Sequence, residues 1–224
     1  MLTRTRTLID WAKLPGAPAN LKMVGDITEE NIVDQIEAAR TESAFVIVDL
    51  EGTASLMVSY AISLANLVIV PMQGSQLDAK QAARRIKLIQ AQGRIAGRTI
   101  PFTMLLTRTH PAISPRTQRH IEQRFAELQV PLLNTRLADR EAYRAMFSYG
   151  GTLRSGLAGR HVSNLDLAIK NARLFAGEGA QAVARRQSDQ RGGGRMSTDR
   201  ADPFALDVSG FAPRHKNAAV APAG

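Results

Sequence analysis

The 224-residue chain contains no cysteine, so disulfides and thiolate metal sites are excluded. Only 5% of the residues are aromatic, and few of them lie among the basic stretches, so a surface that stacks on nucleic-acid bases is not expected. No run approaches the roughly 18 apolar residues of a membrane span. The basic start is not followed by the apolar core of a secretory signal. These absences favour a cytoplasmic protein without a membrane segment.

Acidic residues are also few, with 20 Asp and Glu against 29 Lys and Arg, and the formal net charge is +9. This balance favours contact with nucleic acid and, less often, with an anionic membrane. The alternatives are charge that only maintains solubility and a basic tail. Cationic side chains concentrate on two predicted helices: Arg84, Arg85 and Lys87, followed by Arg94 and Arg98, and then Arg116, Arg119 and Arg124. If these helices cover one face, they form a patch that follows DNA phosphates regardless of base sequence. The alternative is an ordinary solvated helix face.

Apolar runs at 45–49, 67–70 and 100–106 alternate with helical patterns. Ser75-Gln76-Leu77-Asp78 is predicted to be a capping box at the start of a helix that runs to about Gln92. The alternation predicts an α/β fold, a parallel sheet with helices on both faces. Residues 1–20 are predicted to be irregular because Pro15, Gly16 and Pro18 interrupt any pattern, and 130–133 is predicted to be a short strand. The last convincing helix ends near Phe175. We therefore expect one α/β domain over 1–176 and a basic, disordered tail over 177–224.

The first apolar run ends on a carboxylate: Phe45-Val46-Ile47-Val48-Asp49 is followed by Leu50-Glu51-Gly52-Thr53. In nucleotide-binding α/β proteins, such a strand and turn place the carboxylate beside a metal-bound phosphate. Ligands of parallel sheets bind at the carboxyl ends of the strands, so residues 73–75 and 107–108 are expected at the same edge. The alternative is that Asp49 serves only a turn or a helix cap.

The loop that normally cradles the phosphates, Gly-x-x-x-x-Gly-Lys-Ser/Thr, does not occur, because the chain contains no Gly-Lys pair. The nearest match in spacing, Gly151 to Gly156, is followed by Leu157 and Ala158 and is predicted to be a helix-breaking turn. The four histidines are scattered and show no metal-ligand spacing.

Four stretches in order resemble the ParA/MinD-type partition ATPases, and in particular plasmid ParA-like proteins. Residues 45–55 look like the Walker-B strand and switch turn of that family, and 67–79 like its next strand, loop and helix start. Residues 102–109 are similar to the strand that ends near the adenine, and 137–147 to a late helix. The resemblance covers about residues 7–176 and implies a P-loop NTPase fold.

The resemblance implies ATP and Mg²⁺ as cofactors and ATP hydrolysis in a homodimer that segregates DNA. It assigns Asp49 to Mg²⁺, held through water, and the Gly52 turn to a switch that reports the γ-phosphate. It places Thr107 and Arg108 near the base. Non-specific DNA and a centromere-binding partition protein are the implied partners, at the nucleoid. Arg84, Arg85, Lys87, Arg116 and Arg119 are the residues expected to contact DNA.

The front of the family fold has no counterpart in the sequence. Members begin with a strand, a Walker-A loop and a second strand, so the chain is expected to be an N-terminally truncated ParA-like domain that binds ATP weakly. Whether it is itself an ATPase is left open. The alternative is a non-catalytic remnant that binds DNA or a partner protein without a nucleotide cycle. A membrane-surface tail of the MinD kind is not favoured, because no amphipathic stripe follows Gly177.

Overall fold

A computed structural model describes residues 1–3, 6–50, 55–157 and 159–192 of the chain. The strands are β1 (Leu2–Thr3), β2 (Val48–Asp49), β3 (Val68–Met72), β4 (Phe102–Thr109) and β5 (Leu137–Ala138). The helices are α1 (Arg6–Lys13), α2 (Ile32–Glu42), α3 (Leu56–Leu64), α4 (Gln76–Ile95), α5 (Arg116–Glu127), α6 (Glu141–Tyr149) and α7 (Leu165–Gly192).

All the described strand pairs are parallel, as predicted for an α/β fold. Strands β3, β4 and β5 form one sheet in that order, and Val68 lies opposite Phe102. Strands β1 and β2 form a second sheet, and β1 is bridged on its other side to Val24. The predicted parallel sheet with helices around it is therefore confirmed.

Helices α4 and α5 cover the same face of the larger sheet. Their buried side chains, among them Ile86 and Phe125, share one core with Met104 and Leu106 of β4. Helix α4 is capped at the predicted Ser75, whose hydroxyl accepts a hydrogen bond from the Asp78 amide at 3.1 Å. The Asp78 carboxylate accepts from this hydroxyl and not, as predicted, from a backbone amide. Since both crossovers proceed in one direction along the sheet, right-handed connections place both helices on one side.

The predicted strand at 45–49 is wrong in its extent, because β2 contains only Val48 and Asp49. Helices α2 and α3 cover one side of β2, and Val46 and Val48 pack into their core. Phe45 and Ile47 alternate with those residues and are 66% and 59% exposed. The prediction of burial on both faces is therefore wrong for this run. The apolar composition of residues 45–49 does not show that helices cover only one face of β2.

The prediction that residues 1–20 are irregular is wrong for β1 and α1, and it holds for residues 14–20. Leu2 is fully buried, and its amide donates to the Ile47 carbonyl at 2.8 Å. The helix breakers Pro15 and Gly16 lie beyond the end of α1 rather than inside it. Trp11 of α1 donates from Nε1 to the Gly151 carbonyl at 3.1 Å, which fixes this helix against the turn after α6.

The predicted strand at 130–133 is reduced to a single bridge between Leu132 and Met104, and the strand that forms is β5. Its outer edge is covered by α7. Asn171 accepts a hydrogen bond from the Ala138 amide at 3.1 Å and donates to the Arg136 carbonyl at 2.7 Å. One side chain thus replaces part of a neighbouring strand and blocks further edge pairing.

Helix α7 continues to Gly192, so the predicted end near Phe175 is too early. Residues 193–224, which hold most of the predicted tail, lie outside the described residues, and the division into domain and tail stays a prediction. Across the described ranges, every helix is too short or too polar to cross a membrane.

Glu178 fastens α7 to the loop before β5. Its carboxylate accepts hydrogen bonds from the amides of Asn134 at 2.7 Å and Thr135 at 2.8 Å, and from the Asn134 side chain at 3.0 Å. Burial acts to raise the pKa of Glu178, but these donors outweigh it and hold the pKa below its ordinary value.

A lowered pKa stabilises the fold above the pKa of the unfolded chain, and the stabilisation is lost as the pH falls through the folded value. We therefore expect Glu178→Gln to lower the free energy of unfolding at pH 7 and to have little effect at acid pH. Urea unfolding at several pH values measures this, with the exposed Glu30→Gln as control. A Glu178→Gln effect that is the same at pH 3 and pH 7 contradicts the ionic role.

Gly177 and Gly97 form a matched pair, because a Cβ atom added at either meets nothing within 4 Å. Gly177 lies inside α7, whereas Gly97 follows α4 with a φ of 62°. We expect Gly177→Ala to stabilise the protein by about 0.5–1 kcal/mol and Gly97→Ala to destabilise it by about 1 kcal/mol. Thermal unfolding of both variants measures the difference, and equal shifts contradict it.

Candidate functional site

The carboxyl ends of β3 and β4 lie side by side at one edge of the larger sheet. The Thr107 hydroxyl donates to the Met72 carbonyl at 3.2 Å and joins the two strands there. The loop at 73–75 starts from this point, so two of the predicted ligand-edge segments are brought together. The structure thus agrees with the expected position of Thr107, whose role toward a nucleotide stays a prediction.

Asp49 ends β2 and is half-buried, opposite Thr3 of β1. No ladder pairing joins β2 to β3 in the part of the chain that the structure describes, so Asp49 and Thr107 belong to separate sheets. The Gly52 turn, predicted to be a switch, lies outside the described residues. The described ranges contain no group of three or more His, Asp or Glu that could hold a metal ion. One carboxylate is compatible with a water-mediated contact to Mg²⁺ and does not by itself form a metal centre.

Arg108 lies at an irregularity of β4. The register to β5 shifts between Thr107 and Thr109, and Arg108 has a φ of 51°, in the left-handed region that non-glycine residues rarely adopt. Bulges of this kind redirect a side chain out of the regular pleat. Arg108 is exposed, whereas Thr109 is buried and donates to the Leu137 carbonyl at 3.5 Å. The edge therefore presents one exposed cation at the end of β4.

The starts of α3 and α4 are each closed by a serine cap and do not form a phosphate cradle. The start of α4 is closed by Ser75, whose hydroxyl also donates to the Asp78 carboxylate. That carboxylate would repel a phosphate at the helix start. Ser55 closes the start of α3 by accepting from the Val58 amide at 3.3 Å. An added Cβ at Gly74 would lie 3.0 Å from Gln118, so this loop is packed against α5. The Asp49 carboxylate is compatible with a water-mediated contact to Mg²⁺. The capped starts of α3 and α4 do not fit the phosphates of a nucleotide.

Five exposed cations lie on the outer sides of α4 and α5. We call this set the α4–α5 basic surface: Lys80, Arg84, Lys87, Arg116 and Arg119. None of the five is in an ion pair within the described ranges, although Arg119 also donates to the Ser114 carbonyl. Sequence reasoning missed Lys80. It is found by its spacing, because positions 80, 84 and 87 lie on one helix face.

Three other predicted cations have structural partners. Arg98 donates to the carbonyls of Ser63 at 2.5 Å and Ala65 at 2.9 Å and so ties the end of α3 to the turn after α4. Arg85 is half-buried and donates to the Pro71 carbonyl at 3.2 Å. Arg124 pairs with Glu127 at 2.9 Å. The prediction that Arg85 contacts DNA stays untested, and one of its donors is already used within the fold.

Comparison with known proteins agrees with the family resemblance found in the sequence. The chain is 38% identical over 171 residues to Protein ParA from Rhizobium radiobacter, and the match covers 76% of each chain. No family model matches the chain.

Proposed function

The chain belongs to the ParA family, and from this premise we propose that it is a DNA partition protein that binds DNA non-specifically through the α4–α5 basic surface. The observation that carries the proposal is a set of five exposed cations on two helices that share one core. Such a surface contacts phosphates and carries no information about base sequence. The scarcity of aromatic residues agrees with binding that does not use base stacking.

Family membership suggests ATP and Mg²⁺. When bound, they would supply the phosphoryl-transfer chemistry that drives a nucleotide cycle. In this proposal Asp49 would hold Mg²⁺ through water, and Thr107 and Arg108 would lie near the base. Because α4 starts with its own cap and a carboxylate, the 224-residue chain has a poor phosphate site. We therefore infer weak ATP binding and DNA binding that does not depend on ATP.

A salt titration of DNA binding, with and without Mg²⁺ and ATP, tests the proposal. Fluorescence anisotropy of a labelled random-sequence duplex gives the affinity from about 50 to 400 mM salt. We expect the logarithm of the affinity to fall with a slope of about −0.9 for each phosphate contact, about −4.5 for the five cations. Absence of binding at 50 mM salt contradicts the proposed DNA interface.

The nucleotide arm of the same titration separates two functions. Equal affinity with and without ATP supports a remnant that binds DNA or a partner protein without a nucleotide cycle. Tighter binding with ATP supports ATP-dependent segregation by the chain itself. The homodimer and the centromere-binding partner belong to the ATP-dependent function, and sedimentation with and without ATP checks the dimer.

A further inference from the structure

An open groove lies between the turn after α6 and the first half of α7, away from the residues assigned above. It has a volume of about 480 Å³ and is lined by Arg154, Asp166, Ile169, Lys170, Arg173 and Leu174. The turn that carries Arg154 is fixed by its own hydrogen bonds, since Thr152 Oγ1 accepts from the Arg154 amide at 3.2 Å. The groove is therefore a surface of stable shape.

The groove combines positive charge with exposed carbon. Three cations and one carboxylate line it, which leaves a formal charge of +2. Leu174 is 55% exposed, and Leu167, one helical turn before Lys170, is 49% exposed. A surface that only follows DNA phosphates does not need exposed leucines. Cations around an apolar floor instead match an acidic peptide that also carries large apolar side chains.

The same chain contains a peptide of this composition. Residues 201–211 read Ala-Asp-Pro-Phe-Ala-Leu-Asp-Val-Ser-Gly-Phe and contain two carboxylates and no Lys or Arg, a formal charge of −2. Two of the seven phenylalanines of the chain, Phe204 and Phe211, lie in this segment. Apart from it, the last 32 residues are mostly small, polar or charged. The negative charge of residues 201–211 therefore complements the positive charge of the groove, and their apolar side chains complement its apolar floor.

The chain that connects the end of α7 to residue 204 is long enough to reach the groove. A helix rises 1.5 Å per residue, so Gly192 lies about 27 Å from Leu174 along α7. Residues 193–203 span up to roughly 36 Å when extended. Phe204 can thus reach the groove that its own helix helps to form.

We propose that residues 201–211 dock in the groove of their own chain. Asp202 and Asp207 pair with its cations, and Phe204 and Phe211 cover its apolar floor. The two carboxylates of the segment balance the formal charge of +2 in the groove. The proposal does not depend on nucleotide or DNA binding at the sheet edge or at the α4–α5 basic surface.

Distance measurement between two spin labels on the full chain tests the docking. Because the chain has no cysteine, Ser163→Cys and Ser209→Cys provide the two attachment sites. Docking is expected to give a main distance below about 25 Å. Without docking, α7 separates the sites by roughly 40 Å and the 17 residues from Gly192 to Ser209 add a coil of about 23 Å, so a broad distribution near 45 Å is expected.

Charge variants identify the occupant. Lys170→Glu with Arg173→Glu is expected to convert the short distance to the broad one, and Asp202→Lys with Asp207→Lys in that background is expected to restore it. The matched control, Arg84→Glu with Lys87→Glu on α4, leaves the short distance unchanged. Circular dichroism verifies that each variant is folded.

Four results overturn the proposal. The first is a broad distribution in the unsubstituted groove at 50 mM salt, and the second is a short distance that survives the reversal of Lys170 and Arg173. The third is a short distance that vanishes on dilution with unlabelled chain, because it assigns the groove to a second copy. The fourth is loss of DNA affinity in the groove variant when the unsubstituted chain already gives the broad distribution, because it assigns the groove to DNA.

Discussion

Replacement of four cations of the α4–α5 basic surface by glutamate is expected to lower DNA affinity at least about a thousandfold at 50 mM salt. The combined variant is Arg84→Glu, Lys87→Glu, Arg116→Glu and Arg119→Glu. Each lost phosphate contact removes about 0.9 from the slope of the logarithm of affinity against the logarithm of salt, so the slope should flatten by about 3.6. Anisotropy with a random-sequence duplex measures both quantities.

A variant with the same change of net charge at other sites is the control. Lys13→Glu, Lys22→Glu, Arg40→Glu and Arg144→Glu alter exposed cations that lie in surface ion pairs. Exposed pairs of this kind contribute at most about 1 kcal/mol each, so this variant should fold. Its affinity should fall much less, because its cations lie off the proposed interface. Equal losses in both variants would show that overall charge rather than this surface attracts DNA.

Sequence reasoning succeeded where the determinants are local. Strands β3 and β4 were predicted because continuous apolar runs are typical of buried parallel strands. The start of α4 was predicted because Ser75 and Asp78 have the spacing of a capping box within four residues. Cations on α4 and α5 were predicted to form one patch if both helices cover one face, and the two helices do share one core. Their contact with DNA stays a prediction.

Sequence reasoning failed where the residue that completes a contact is distant in the chain. Strand β5 depends on Asn171, which lies 33 residues after the Ala138 amide that it pairs with. The exposure of Phe45 depends on which helices cover β2, and composition does not report that. In the sequence, Arg85 and Arg98 cannot be distinguished from the other basic residues. Their hydrogen-bond acceptors are backbone carbonyls that come close only in the folded protein.

For the candidate site, too, local features could be predicted from the sequence and the order of the strands could not. The carboxylate at the end of β2 and the polar residues near the end of β4 were predicted, because the carboxyl ends of parallel strands lie at one edge. That β2 and β3 belong to separate sheets was not predicted, since a linear pattern of strands does not give their order. Whether Asp49 and Thr107 contact one ligand therefore stays a prediction.

The turn between α6 and α7 is expected to be the least tolerant glycine site of the described chain. A Cβ atom at Gly156 would lie 2.0 Å from the Gly150 carbonyl oxygen, which is backbone and cannot move aside. Gly150 itself has a φ of 77° and contacts Leu14, and Trp11 is bonded to the neighbouring Gly151 carbonyl. An added methyl group at Gly156 would therefore separate this turn from α1.

We expect Gly156→Ala to lower the free energy of unfolding by about 3 kcal/mol or more, because overpacking against backbone costs about 1–3 kcal/mol and the Trp11 contact is lost as well. The melting temperature should fall by roughly 6–12 °C for a chain of this size. Gly159→Ala is the control, since Gly159 has a φ of 74° but nothing within 4 Å of an added Cβ, so it should lose only about 1–2 kcal/mol. Equal losses would mean that the contact with Gly150 relaxes at little cost, since Gly156, unlike Gly159, does not have a positive φ. In Gly156→Ala alone, Trp11 fluorescence should shift toward that of a solvent-exposed indole before global unfolding, because α1 is released first.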